Sequence, residues 1–243
     1  MPPKRFFADV TFSKDGSPNE VFLTGDEFNH AKNVLRLSAG DEVTLLDGSG
    51  TEYSAIIARA EKSRFLLHIT GERRSDKEPK SDVYLLVGAL KGDKTELVVQ
   101  KAVELGVSRI GVFSSRYCSA YMNENKLERL NRVSKEAAKQ CLRAAAPEVV
   151  YFDRFEDALR SAEACPCKLF ACEFAEKSER RMEETCAPAA LVVGSEGGFA
   201  EEEFALAKQC GFAAMSLGKR ILRAETAAIA FLSVALYALG ELG

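Results

Sequence analysis

From Val83 onward, short runs that are apolar from end to end alternate with longer helical stretches, and this alternation narrows the fold more than any other feature. Val83–Gly88 holds only Val, Tyr, Leu and Gly. A strand with one wet face alternates apolar with polar residues. A run that is apolar throughout predicts a strand covered on both faces, as in a parallel sheet flanked by helices. Residues 110–113 and 191–193 repeat the pattern, as does 168–172 apart from Lys168. Between them lie helical stretches at 95–105, stopped by Gly106, and at 124–145, stopped before Pro147. Another runs over 200–210, with three glutamates in its first turn, where the helix dipole favours them. Alternating elements of this kind predict an α/β domain with a mainly parallel sheet.

Residues 1–71 have a different texture. Short strand-like runs at 21–23, 41–47, 51–58 and 65–70 are separated by turn signals such as Asp47-Gly48-Ser49-Gly50, with one helix over 26–35. That is the outline of a small β-barrel. Residues 72–82 are nearly all charged or polar and read as a linker to a domain at 83–243.

A net charge of −3 argues against a uniformly basic nucleic-acid sheath but allows a local patch. The seven cysteines include Cys165-Pro166-Cys167 with Cys172 and Cys186 nearby, but their spacing fits no common zinc template. No metal is expected, only reduced thiols in a cytoplasmic protein. The N-terminus lacks the apolar core of a signal peptide. The apolar stretch 227–239 is shorter than the ~20 residues a bilayer demands, so it reads as a buried helix or an oligomer contact rather than a membrane span.

Two loops carry the chemistry. Gly194-Ser195-Glu196-Gly197-Gly198-Phe199 follows a strand and precedes a helix, the order of loops that bind ligands at strand carboxyl ends. It matches neither GxGxxG nor GxxxxGKS. Glu196 would repel a pyrophosphate and suits a sulfonium, an amino group or ribose hydroxyls. The plain alternative is a tight turn at Gly197-Gly198. The second loop runs from Leu217 and Gly218 through Lys219, Arg220, Ile221, Leu222 and Arg223 to Ala227, packing cations among apolar side chains. It is either a pocket wall or a solvated connector, and Glu225 and Thr226 stand where they could cap the following helix. The helix at 124–145 carries Lys126, Arg129, Arg132, Lys135, Lys139 and Arg143 on one drifting face, either a solvated surface or a rail for phosphates to which Lys91 and Lys94 could add. His30 and His68 have no metal partners and no nucleophile beside them, which argues against hydrolase chemistry.

Taken in order, these motifs resemble the RsmE family of 16S ribosomal RNA methyltransferases, of the knotted SPOUT class. The resemblance rests on Arg5-Phe6-Phe7, His30-x-x-x-Val34-Leu35-Arg36, Gly40-Asp41 and Asp47-Gly48-x-Gly50 in the first domain. In the second it rests on Lys91-Gly92-Asp93-Lys94, Gln100-Lys101-x-x-Glu104-Leu105-Gly106-Val107, Glu136-Ala137-x-x-Gln140-x-x-Arg143, Pro147-x-Val149, the glycine loop and Leu217-Gly218-x-x-Ile221-Leu222-Arg223-x-Glu225-Thr226-Ala227. Ser195 departs from the family's usual proline.

The resemblance implies a PUA-like β-barrel followed by an α/β domain with a deep trefoil knot, a homodimer, and methyl transfer from S-adenosyl-L-methionine to N3 of a uridine in the 16S rRNA of the small ribosomal subunit. Losing the N3 proton leaves negative charge on uracil, which Arg223 would stabilise, with Arg143 or Gln140 positioning the base. Glu225 is the candidate general base, in competition with its capping role, and Thr226 is structural. The cofactor would lie among Cys172-Glu173, the Gly194–Gly198 turn and the stretch from Leu217 to Leu222. Arg5, Lys32 and Arg36 of the barrel, with Lys91, Lys94 and Lys139, would hold RNA. The alternatives are a related knotted enzyme acting elsewhere, such as a ribose 2′-hydroxyl, and a non-catalytic RNA-binding assembly protein.

Overall fold

The computed structural model describes residues 4–10, 20–172 and 179–243. They divide into two compact units. One is built from the described residues up to Glu78 together with Ala138–Ala146; the other from those of Pro79–Ala137 and Pro147–Gly243.

The first unit holds β1 (Lys4–Phe7), β2 (Glu20–Leu23), α1 (Gly25–Asn29), β3 (Glu42–Leu46), β4 (Thr51–Ala60) and β5 (Phe65–Arg74), in the sheet order β1-β3-β4-β5-β2. Alternation drives the packing: β2 is buried at Val21 and Leu23 and exposed at Glu20 and Phe22. Two register shifts in the β4–β5 ladder, at Ser54/Ala55 and Ile57/Arg59, bend the sheet onto a core that includes Phe6, Phe28, Leu45, Tyr53, Ile57, Phe65 and Leu67. Each such side chain contributes roughly 1.5–3 kcal/mol on burial. The helix expected over 26–35 divides: α1 stops at Asn29, and a wider π turn, His30–Val34, leads to Arg36 in the left-handed region at φ 56°.

β1 was not legible as a strand, because its two charged residues hide the alternation. Phe6 fills the core, while Arg5 turns to Glu52, a buried carboxylate, at 2.9 Å. Arg73 closes the pair from β5 at 2.8 Å. Residues 72–74 are therefore strand rather than linker. Further along the same charged run, Glu78 accepts the amides of Ala144 and Ala145 at 2.6 and 2.9 Å and the Arg143 Nε at 3.1 Å.

The second unit contains β6 (Val83–Gly88), α2 (Lys94–Leu105), β7 (Arg109–Phe113), most of α3 (Glu124–Gln140), β8 (Val149–Phe152), α4 (Phe155–Ser161), β9 (Cys167–Ala171), β10 (Ala189–Val193), α5 (Glu201–Gln209), β11 (Ala213–Met215) and α6 (Ala224–Ala238). Its six strands are all parallel, in the order β11-β9-β10-β6-β7-β8. The apolar runs are buried as expected; β10 is covered at every residue. The chain leaves β6 toward β7 and β8, then returns to lay β9, β10 and β11 on the other side. Such a reversal opens crevices at the strand carboxyl ends. The helix expected to reach 145 ends at Gln140, because Leu142 takes a left-handed φ of 67° that no helix continues. β8 and α4 were not foreseen. Among the described residues, no helix is long and apolar enough to cross a membrane.

Candidate functional site

A cavity of about 890 Å3 opens at the carboxyl ends of β9, β10 and β11. That is within the range of small-molecule sites. Its walls come from Ala171 and Cys172 after β9, residues 193–200 after β10, and residues 216–224 after β11, with Lys94 and Tyr117 beside them.

The glycine loop is a tight turn. Ser195 and Gly198 pair across it, with the Gly198 amide donating to the Ser195 carbonyl at 3.0 Å. Its glycines are required for two separate reasons. Gly198 sits at φ +68°, which L-residues rarely adopt. At Gly197 a Cβ would lie 2.5 Å from the Tyr117 Cβ, so a side chain would collide with the cavity wall. The loop is also anchored from below. The Phe199 ring lies 5.3 Å from Phe155 and 5.9 Å from Phe170, inside the aromatic core under the sheet ends. The close approach continues at the end of β6, where a Cβ on Gly88 would fall 2.5 Å from the Ser195 nitrogen.

Glu196 does not dangle in this loop. Its Oε1 accepts the Lys91 amide and the Lys94 ammonium, both at 3.1 Å. Burial acts to raise its pKa, but the hydrogen bonds from its own amide, Lys94 and the Lys91 amide outweigh it and hold the carboxyl below the ordinary range. Lys94 also lies 3.6 Å from Glu225, and its pKa is raised, chiefly by the Glu196 hydrogen bond. Of the four buried polar side-chain atoms with no hydrogen-bond partner among the described residues, two are here: the Ser195 Oγ and the Glu225 Oε2.

The third loop is looser. Gly218 takes φ +105°, and Lys219, Arg220, Ile221 and Arg223 are exposed, Ile221 by 84%. Arg223 is also the N-cap residue of α6, with no side-chain cap hydrogen bond. The capping expected of Glu225 or Thr226 is thus not seen: Glu225 turns to Lys94, and Thr226 is exposed.

The structure brings together Cys172, Gly194, Ser195, Glu196, Gly197, Gly198, Leu217, Gly218, Ile221, Leu222 and Arg223 on one cavity. Glu173 lies outside the described residues. Lys94, expected with the RNA-binding lysines, lines the same cavity, and Lys91 reaches Glu196 through its backbone. Tyr117 and the anchoring Phe199 were missed as site residues. The only signal for Tyr117 was its place after a strand end.

The remaining expected RNA contacts are divided by the structure. Arg5 is buried against Glu52 and also donates to the Leu142 carbonyl at 3.2 Å. Lys139 pairs with Glu27 at 3.0 Å, and Arg143, 5% exposed, with Glu78. All of these contacts lie within the first unit. Gln140, Lys32 and Arg36 are exposed there. On α3, Arg129 pairs with Glu96 at 2.8 Å, whereas Arg132 and Lys135 are exposed and form no ion pair among the described residues.

Similarity to known proteins runs the length of the chain. The family model described as the RNA methyltransferase domain matches residues 76–236, and that of the RNA methyltransferase PUA domain matches residues 23–70. The chain is 31% identical over 225 residues to the ribosomal RNA small subunit methyltransferase E of Mesomycoplasma hyopneumoniae, covering 91% of this chain and 96% of that one. It is 27% identical over 250 residues to the Bacillus subtilis protein of the same name, covering 96% of each. A crystal structure of a ribosomal RNA small subunit methyltransferase E from Neisseria gonorrhoeae, bound to S-adenosyl methionine, superposes with a TM-score of 0.82 at 30% identity over 97% of each chain.

Proposed function

Because this chain belongs to the ribosomal RNA small subunit methyltransferase E family, we propose that it methylates N3 of a uridine in 16S rRNA, using S-adenosyl-L-methionine. The observation that carries the reading is the cavity itself: a glycine turn too crowded for side chains, an ion-paired carboxylate and a hydroxyl with no hydrogen bond among the described residues, facing a loop of exposed cations.

These residues fit the cofactor. A nucleoside attached to an amino acid offers flat apolar surface, ribose hydroxyls and cationic groups. Leu217, Ile221 and Leu222 provide apolar walls, and Ser195 an unused hydroxyl. Glu196 is the acceptor for ribose or for the methionine end. When bound, the cofactor supplies a methyl group on a sulfonium.

The protein's own task is to prepare the base. Uridine N3 carries a proton that must leave before the nitrogen can accept carbon, and the resulting negative charge spreads to O2 and O4. Arg223, exposed at the cavity wall, stabilises that charge and so lowers the barrier to deprotonation. Glu225 is not assigned the proton, since its carboxylate is buried against Lys94 and does not line the cavity. Water receives it, and holding the base in place supplies much of the remaining rate.

On the first unit, Lys32, Arg36 and Gln140 are the residues available to RNA, while Arg5, Lys139 and Arg143 hold the unit together. Arg132 and Lys135 of α3 add phosphate contacts. A second copy of the chain covers the exposed Val234 and Tyr237 of α6. The trefoil knot implied by the resemblance belongs to this proposal, as does action in the cytoplasm, where small subunits are assembled.

The test is nucleoside mass spectrometry of 16S rRNA from a deletion strain, complemented by the wild type or by Arg223→Ala. Loss of 3-methyluridine, restored only by the wild type, is expected. Loss of a ribose-methylated nucleoside instead would move the enzyme to another position, and no change in any nucleoside would overturn the reading.

A further inference from the structure

Lys94, at the start of α2, and Glu196, in the glycine loop, line the cavity and meet Glu225, in the first turn of α6, which does not line it. The Lys94 Nζ is 3.1 Å from Glu196 and 3.6 Å from Glu225. Two carboxylates share one ammonium, so the charges of these three side chains sum to −1, while the neighbouring loop brings Lys219, Arg220 and Arg223 to the same cavity. Glu225 is the more loosely held of the two: its side chain is only 13% exposed, and its Oε2 meets the Lys94 ammonium at 3.6 Å, beyond hydrogen-bond length, with no other hydrogen bond among the described residues. A buried carboxylate in that position lowers its energy when positive charge arrives nearby. Glu225 lies in the first turn of α6, where the helix dipole favours a carboxylate, but its side chain turns to Lys94.

Methyl transfer changes the charge of what the cavity holds. S-adenosylmethionine carries a sulfonium, an ammonium and a carboxylate, a net charge of +1. S-adenosylhomocysteine keeps the ammonium and carboxylate but has a neutral thioether, a net charge of zero. A negative charge local to Lys94, Glu196 and Glu225 tells the two apart without touching the methyl group.

We infer that Glu225, joined to Glu196 through Lys94, is a specificity-determining residue that makes the cavity favour the positively charged cofactor over its neutral product. This deepens the functional reading above and rests on it. The consequence is directional: once the methyl group has gone, the wall no longer favours the ligand, and product leaves more readily than cofactor would.

The test is calorimetric titration of S-adenosylmethionine and S-adenosylhomocysteine into the full chain, reading the ratio of their dissociation constants. Glu225→Gln keeps shape and removes the standing charge. It should weaken the methionine form by roughly five- to tenfold while moving the homocysteine form less than about twofold. Lys94→Met, which deepens the negative charge, should move the ratio the other way. Opposite shifts from two neighbouring substitutions are not what a packing defect produces, since a defect weakens both ligands together. An unchanged ratio in Glu225→Gln, or equal weakening of both ligands, would overturn the inference while leaving the functional reading intact. Failure of the wild type to bind either ligand would overturn both.

Discussion

Two groups of basic residues look alike in the sequence and are put to opposite use. Arg5, Lys139 and Arg143 in the first unit are bonded to Glu52, Glu27 and Glu78, and Arg5 and Arg143 are nearly sealed from water. Lys219, Arg220 and Arg223, in the loop before α6, are exposed around a cavity. The difference lies in what surrounds each cation. In the first unit, carboxylates from distant parts of the chain close on the arginines and fix the segment 138–146 to the barrel. In the second, Lys219, Arg220 and Arg223 follow a glycine at φ +105° and form no ion pair among the described residues. A cation bonded to carboxylates of its own unit stabilises the fold, and one left open is available for a ligand.

The largest expected effect breaks the first group. Arg5→Met leaves Glu52 buried with only the exposed Arg73, and removes the donor to the Leu142 and Arg143 carbonyls. The expected loss is about 3–5 kcal/mol of unfolding free energy in urea melts. Arg5→Met with Glu52→Leu should recover much of it, because no unpaired charge is left. If Arg5→Met instead folded as well as the wild type and lost only RNA affinity, Arg5 would belong with the open cations.

The complementary substitution, Arg223→Ala, should leave stability within about 0.5 kcal/mol, since the side chain is exposed and caps nothing. It should lower kcat for rRNA methylation by about 10^2–10^3-fold, the usual cost of losing one electrostatic stabiliser. A large stability loss with little change in kcat would invert the comparison.

Between these lies Gly197→Ala. The added methyl group meets the Tyr117 Cβ at 2.5 Å. Overpacking of this kind costs about 1–3 kcal/mol, and here the strain falls on the cavity wall. Cofactor affinity measured by calorimetry should drop by about tenfold or more, and Gly197→Ala with Tyr117→Gly should regain only a small part of it, because the Tyr117 carbonyl oxygen also lies 2.8 Å from the added methyl group.

The parallel strands were legible because burial on both faces leaves an unbroken apolar run. So were the glycine loop and the 217–223 loop, because local chemistry marks them: glycines where a side chain has no room, and cations beside leucine and isoleucine. What stayed hidden is set by distant contacts. Arg5 is half of an ion pair whose other half lies in β4, and no local pattern announces it. Residues 141–145 keep a helical composition, yet the Glu78 carboxylate bonds the amides of Ala144 and Ala145 and Leu142 turns left-handed, so α3 stops early. Lys94 is one lysine among several until the fold sets it between two glutamates.

The smallest effect compares two carboxylates, one from each unit. Glu52 feels burial, which raises its pKa, but hydrogen bonds from Arg5 and Arg73 outweigh it and hold the folded value below the ordinary 4.5. Glu196 is held down in the same direction, by its own amide, Lys94 and the Lys91 amide. A carboxyl group depressed in the folded state stabilises the protein fully above its unfolded value, and loses that contribution as pH falls through the folded value. Both groups should therefore steepen the loss of stability below about pH 4.5. Their sizes should differ. Glu52 is 4% exposed, so urea melts of wild type and Glu52→Gln should converge clearly as pH falls from 6 toward 3. The Glu196 pair is partly open to water, and solvent screening should keep the corresponding change in Glu196→Gln below about 1 kcal/mol. Equal convergence in the two variants would mean that Glu196 is as tightly held as Glu52, and that the cavity wall is as rigid as the barrel's buried ion pair.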